Sequence, residues 1–267
     1  MQKLVVVSVL ALFACKKEAP PKNEFEAFER KFVRENELLA QAMRARGEKV
    51  DDKDVLTSYR AVFIGPSGVF VDRKLVATLA EIDSKHTELD AAIDANAKLL
   101  PTVGWRGLAV TFNLEDEPAA NAMSALHLFA DRETYFNVVR EDPEVPQMAS
   151  HILCSQMKLR DKPANDASAV PQLSVLLDPK VIWVGVSKLN EFQEIPDTGD
   201  ERDFAKLEMT LREHKASELF GERTDVELGA AAGTSSQVLH ALGALCDAGF
   251  VDIALLPRDQ LSAVPQL

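Results

Sequence analysis

The sequence predicts an α/β chain of the α+β kind. It should hold two tandem domains, each a small mixed sheet with two helices in the order ββαβαβ, preceded by an N-terminal amphipathic helix. Three observations lead there. The stretch from Asp225 to Leu256 reads as strand, loop, helix, tight stop and strand. A looser version of the same order occurs earlier in the chain. No apolar run approaches the roughly 20 residues that a membrane-spanning helix needs, so the 46% of hydrophobic residues are available for cores.

In the clearer copy, Val226, Leu228 and Ala230 alternate with Glu227 and Gly229, the pattern of a strand with one buried face. Thr234 and Gln237 have the spacing of a capping box, which satisfies free amides at a helix start. Val238, Leu239, Leu242, Leu245 and Cys246 form one apolar helical stripe. Gly249 stands where a left-handed C-cap is needed, and Phe250 can fold back on Leu245. Val251, Ile253 and Leu255 alternate again. Upstream, residues 173–184 (LSVLLDPKVIWV) supply two strands and residues 203–214 (DFAKLEMTLREH) a helix.

The looser copy is found by setting YRAVFIGPSGVFV beside LSVLLDPKVIWV. Val62, Pro66 and Val71 match Val175, Pro179 and Val184 at an offset of 113, as do Glu81-Ile82 and Glu194-Ile195. Val110, Ala125, Leu126 and Asp131 match Val226, Ala241, Leu242 and Asp247 at an offset of 116, so a three-residue insertion falls between. A repeated order of elements is the mark of duplication. Gly65-Pro66-Ser67-Gly68 should make a turn. Helices are expected over Lys85–Leu100 (Leu89, Ile93 and Leu100 inward) and Pro118–Asp131 (Ala122, Met123, Leu126 and Phe129 inward). Strands are expected at Leu108–Phe112 and Tyr135–Val139. Arg132-Glu133 replaces the Ala-Gly corner.

These patterns, with the Ala248-Gly249-Phe250 corner, resemble the periplasmic domain of the ExbD/TolR family, accessory proteins of proton-driven inner-membrane motors. The likeness spans Leu173–Leu256 and, more weakly, Val55–Val139. It implies a non-catalytic binding or scaffolding module associated with envelope transport or energy transduction. Its implied partners are envelope proteins, including motor components, or the cell wall. Family members carry a spanning helix with a working aspartate, and no residue here matches it. The family's periplasmic part dimerises, so two tandem copies would form an internal pseudo-dimer.

The N-terminus adds an address. Lys3 precedes an apolar core from Leu4 to Ala14, as in a signal peptide. Leu12-Phe13-Ala14-Cys15 resembles a bacterial lipobox, which makes Cys15 the lipid-attachment residue and the mature N-terminus. Acyl chains on that thiol would hold the protein on a membrane without crossing it. Lys16, in place of aspartate, makes the outer membrane the default by resemblance to other lipoproteins. The expected division is signal peptide 1–14, tether 15–24, amphipathic helix 25–50, first domain 51–142, linker 143–171 and second domain 172–267. In the helix, Phe25, Phe28, Phe32, Leu39 and Met43 share a face. It could pack on its own first domain, dock a partner or lie on the membrane surface. The first is favoured, and its mixed charges lack the lysine-rich polar face of membrane-surface helices.

Composition excludes other functions. A net charge of -12 argues against nucleic acid. His86, His127, His151, His214 and His240 have no metal-ligand spacing with each other or with Cys154 and Cys246. Those two cysteines read as buried thiols more readily than as a bridge. Ala232–Ser236 could offer helix amides to an anion, but Thr234 is needed for the cap. There is no nucleophile elbow and no dinucleotide fingerprint. Neither a catalytic residue nor a cofactor or metal site is expected. A rival reading is a lipoprotein binding a small ligand between its two domains, in an aromatic cleft for which Trp105 and Trp183 are the only tryptophans. Val-Pro-Gln recurs at Val145, Val170 and Val264, marking domain edges.

Overall fold

The computed structural model describes residues 20–50, 62–97, 108–114, 117–132, 134–140, 149–152, 157–165, 169–189, 191–198 and 202–265. Among them are two six-stranded mixed sheets and five α-helices, the expected α+β content. The first sheet holds β1 (Val62–Gly65), β2 (Gly68–Val71), β3 (Lys74–Ala77), β4 (Leu108–Phe112), β5 (Thr134–Arg140) and β6 (Ala149–Ile152), ordered β3-β2-β1-β4-β5-β6. The second holds β7 (Lys158–Arg160), β8 (Leu173–Asp178), β9 (Val181–Val186), β10 (Glu191–Pro196), β11 (Asp225–Ala230) and β12 (Asp252–Leu255), ordered β10-β9-β8-β11-β12-β7. Each sheet opens with a three-strand antiparallel meander and continues through two parallel strands. Parallel neighbours need crossovers, and helices make them. These are α2 (His86–Ala97) and α3 (Ala119–His127) in the first half, and α4 (Phe204–Lys215) and α5 (Ser235–Asp247) in the second.

The local signals of the second half act as the sequence implies. Thr234 and Gln237 close a reciprocal capping box on α5. Gly249 has φ +89°, Gly249 N–H donates to Cys246 C=O at 2.9 Å and Phe250 N–H to Leu245 C=O at 2.9 Å. That pair of bonds is the Schellman stop, and it throws Phe250 into the core.

Five expectations need correction. Each half has a third meander strand, β3 or β10, beyond ββαβαβ. One is four residues long and begins at lysine, the other carries two glutamates and a proline, and neither alternates apolar with polar residues. Second, the expected linker at 143–171 contains β6 and β7, an edge strand for each sheet. Third, Glu81 ends a 3-10 helix (Leu79–Glu81) whereas Glu194 and Ile195 lie within β10, so that match has no structural counterpart. Fourth, Val62 pairs with Val110 but Val175 pairs with Leu228, so Val110 corresponds to Leu228 and not to Val226. A slip of two residues keeps every side chain on its own face, so sequence pattern alone could not detect it. Fifth, the first-half corner is present without glycine: Asp131 takes the left-handed conformation at φ +58°.

The helix layers of the halves meet. α3 packs on α5, and one apolar cluster runs from Val62, Ile64 and Val110 through Ala125, Leu126, Ala241 and Leu242 to Val175 and Leu228. Where the helices begin, Ala119 N–H donates to Gly233 C=O at 3.0 Å and Ser235 N–H donates to Glu117 C=O at 2.7 Å. Pro118 and Thr234 are the N-caps of α3 and α5, so Glu117, Pro118 and Ala119 correspond to Gly233, Thr234 and Ser235, at the offset of 116 that the preceding strand does not keep. Each bond is therefore the image of the other when the halves exchange roles, which is the signature of an isologous contact. Pro118 and Thr234, paired as an antiparallel bridge, sit at its centre.

Candidate interaction surfaces

Each sheet turns its second face away from the helices, and the termini cover both. α1 (Glu24–Ala45) lies on the first sheet. Asn23 caps it by accepting from Glu26 N–H at 2.9 Å, and donates its own amide to Arg73 C=O at 3.1 Å. Glu24 accepts Ser67 N–H from the β1–β2 turn at 3.2 Å, and buried Glu29 pairs with Arg73. Phe25 and Phe28 meet Phe63 and Phe70, with Phe25 edge-on to Phe63 at 5.6 Å. Burial of those rings is what fixes the helix, since aromatic side chains carry the largest apolar areas. The packing of α1 on its own first half is thus observed, with Phe32 partly buried beside it.

On the second sheet, Leu176 and Trp183 occupy the positions of Phe63 and Phe70 at the offset of 113. Here the cover is the C-terminal segment, whose Leu261 and Val264 pack on Leu176, Trp183, Ala254 and Leu256. Its latch is Glu227, buried to 1% exposure, which accepts from Ser174 Oγ at 2.6 Å and Ser262 N–H at 2.7 Å. This is why β11 does not alternate: the face read as solvent-exposed lies under the segment. An open depression of about 440 Å³ runs along Arg258, Leu261, Ser262, Val264 and Pro265.

Edges differ more than faces. β3 is broken by a register shift between Val69 and Phe70 and begins at Lys74, two devices that blunt an edge. β7 is closed, because Leu159 C=O accepts Asp131 N–H at 2.8 Å from the turn after α3. β10 is straight, with six consecutive pairs to β9. Ser187 N–H donates to Gln172 C=O at 2.9 Å and Asp197 N–H to Lys180 C=O at 3.0 Å. Antiparallel strands alternate their bonding direction residue by residue. Odd-numbered residues of β10 therefore bond β9, while Phe192 and Glu194 turn N–H and C=O outward. Pro196 belongs to the outward set, where its missing N–H costs nothing. Phe192 is 40% exposed and lies over Gly185, where a Cβ would come within 3.0 Å of its ring. Sequence reasoning missed this edge; its signal was a proline in phase with the outward residues.

Ion pairs tie elements together at the lateral margins. Arg160 forks onto Asp252, and Arg132 bridges Asp90 and Asp94 of α2. Burial alone would raise the Asp225 carboxyl, but Arg223 and the Asn165 amide hold it below the usual aspartate value. Asn165 and Pro171, whose carbonyl accepts from Arg223, thereby pin the connector to the second sheet.

Of the residues singled out by sequence, Leu4–Ala14, Cys15, Val55, Leu100, Trp105, Glu133, Val145 and Cys154 lie outside the described residues, as do the side chains of Leu39, Leu108, Tyr135–Val139 and His151. Cys246 is half-buried against the core. His86 contacts Asp90 at 3.0 Å within α2, and His240 stacks on Phe204 at 5.0 Å. His127 and His214 are held below the ordinary histidine value by burial. These side chains are dispersed, and among the described residues no three metal-ligating groups converge. Thr234 Oγ1 accepts from Gln237 N–H at 3.3 Å, so the cap uses the loop at Ala232–Ser236. Where a ligand cleft between halves was the rival expectation, α3 and α5 pack directly on each other. Among the described residues no helix is long and apolar enough to cross a membrane. No family model, no curated protein and no solved structure matches this chain.

Proposed function

We propose that this chain is a non-catalytic, lipid-anchored protein of the bacterial cell envelope, in which two ExbD/TolR-like units form an internal pseudo-dimer that serves as a binding or scaffolding module. The observation that carries the pairing is the two-way bond between Ala119 and Gly233 and between Ser235 and Glu117. Tandem copies joined by a self-equivalent contact do within one chain what an isologous dimer does with two. The reading as a module of binding surfaces rests on the covered outer faces and on the β10 edge, which no other described strand pairs with. The anchor rests on the lipobox ending at Cys15. The partner class is an envelope protein, a motor component among them, or the cell wall, reached from the periplasmic side of the outer membrane.

Two measurements test this reading. Metabolic labelling with an alkyne fatty acid should mark the wild-type chain and leave Cys15→Ser unmarked; equal labelling refutes the anchor. Chemical cross-linking in intact cells, followed by identification of the adducts, should return envelope proteins or peptidoglycan. Adducts only with cytosolic proteins refute the module.

A further inference from the structure

We infer that the outer edge of β10 is a docking strand for an extended cationic segment of a partner protein, which joins the second sheet as a seventh strand. The inference rests on the binding-module reading and is independent of the lipid anchor. It names the surface, the conformation of the partner and its charge.

Backbone geometry sets the conformation. Phe192 and Glu194 present outward N–H and C=O groups, and an incoming antiparallel strand satisfies all four, as in β-strand addition. Pro196 supplies a carbonyl and no donor, so the ladder ends there. The other margins of the two meanders do not compete. β3 carries a bulge, and the far edge of the second sheet is closed by Asp131. Natural edges are commonly guarded by bulges, charged side chains, proline or covering loops. β10 has no register shift and exposes Phe192 as its second residue. Its guards are the charges of Glu191 and Glu194, of one sign and so open to a cationic partner, and Pro196, which only ends the ladder.

Side chains set the chemistry. Phe192, Glu194 and Pro196 project to the outer face, because Ile195 between them is buried in the core on the helix side. Glu194 lies opposite Trp183, is exposed, and enters no ion pair among the described residues. Glu191 adds negative charge at the start of the strand, facing His214 from α4. A partner residue paired with Phe192 must be apolar to cover the ring over Gly185. The residue paired with Glu194, two positions earlier on an antiparallel strand, must be cationic. The recognised element is therefore a cation, any residue with strand preference, then an apolar residue, in extended conformation. Cross-strand pairs of opposite charge favour such a register.

The test uses the whole chain without its signal peptide and a capped probe, acetyl-Thr-Thr-Lys-Thr-Val-Thr-amide, titrated by two-dimensional NMR. Amide shifts are expected at Phe192 and Glu194, with a shift of the Trp183 indole N–H. Exchanging the probe's lysine for glutamate should weaken binding about tenfold, the effect of one lost charge-assisted hydrogen bond. Glu194→Gln should erase that preference. Glu194→Pro, which removes an outward N–H that β9 does not use, should abolish binding at an unchanged urea midpoint. Should the midpoint fall, a probe N-methylated at valine replaces the variant and should not bind. Shifts that map elsewhere, equal affinity for the two probes, or the absence of any shift at millimolar probe would each overturn the inference. Those results would leave acyl labelling and in-cell cross-linking unaffected, so the wider reading fails or stands separately. A chain that instead pairs with its own copy through β10 would show the same shifts on concentration alone, and that outcome also overturns it.

Discussion

At the residue scale, the features that matter most are those whose conformation or burial leaves no alternative. Gly249 turns the chain at φ +89°, and a Cβ there has room, with Lys215 Cε 3.4 Å away. The penalty for Gly249→Ala is then conformational, and it should cost about 1 kcal/mol by chemical denaturation. Thr234→Ala removes a helix cap at the centre of the contact between halves, and should cost about 1 kcal/mol. Titration gives a third expectation. Burial lowers His127 and His214, so both are preferentially neutral in the folded state. A base whose folded value is depressed stabilises the protein above its unfolded value of about 6.5, and loses that contribution as pH falls through the folded value. The urea midpoint should therefore decline from pH 7 to pH 5. Replacing both residues by glutamine should flatten the decline, and a steeper profile in that variant would contradict the sign.

At the element scale, the two covers of the outer faces make separable claims. Phe25 and Phe63 touch across the α1 interface, and Phe25→Ala or Phe63→Ala should each cost about 3 kcal/mol or more. Because they share a contact, the double variant should cost less than the sum. Glu227 holds the C-terminal segment through buried bonds from Ser174 and Ser262. Glu227→Ala should strand those donors and speed hydrogen exchange at Ser262 and Ala263 ahead of the strands below. How legible each element was follows from its physics. α5 announced itself because cap, stripe and stop are local chemistry written in Thr234, Leu242 and Gly249. The corner after α3 did not, since Asp131 takes a backbone shape usually signalled by glycine. β3 and β10 are edges whose polar residues serve the solvent side, so composition hid them. The repeat was found through small identities, but the strand register slid by two because a strand tolerates that slip without changing face.

At the scale of the whole molecule, two sheets stand back to back through their helices, and one apolar cluster joins them. Nothing in the sequence states that α3 meets α5, because equivalence at an offset of 116 says which residues correspond and not which ones touch. The structure adds that Glu117 and Ala119 each bond the other's counterpart, Ser235 and Gly233. A shared core makes separate melting of the halves unfavourable, so denaturation should follow one transition with coincident tryptophan fluorescence and far-ultraviolet circular dichroism.

The central claim is that one chain already contains both members of its dimer. Light scattering on the chain from Lys16 onward tests it most directly. The account predicts the mass of a single chain at every concentration tried. A homodimer that persists on dilution would show that the pairing surface is still unfilled, and would contradict it.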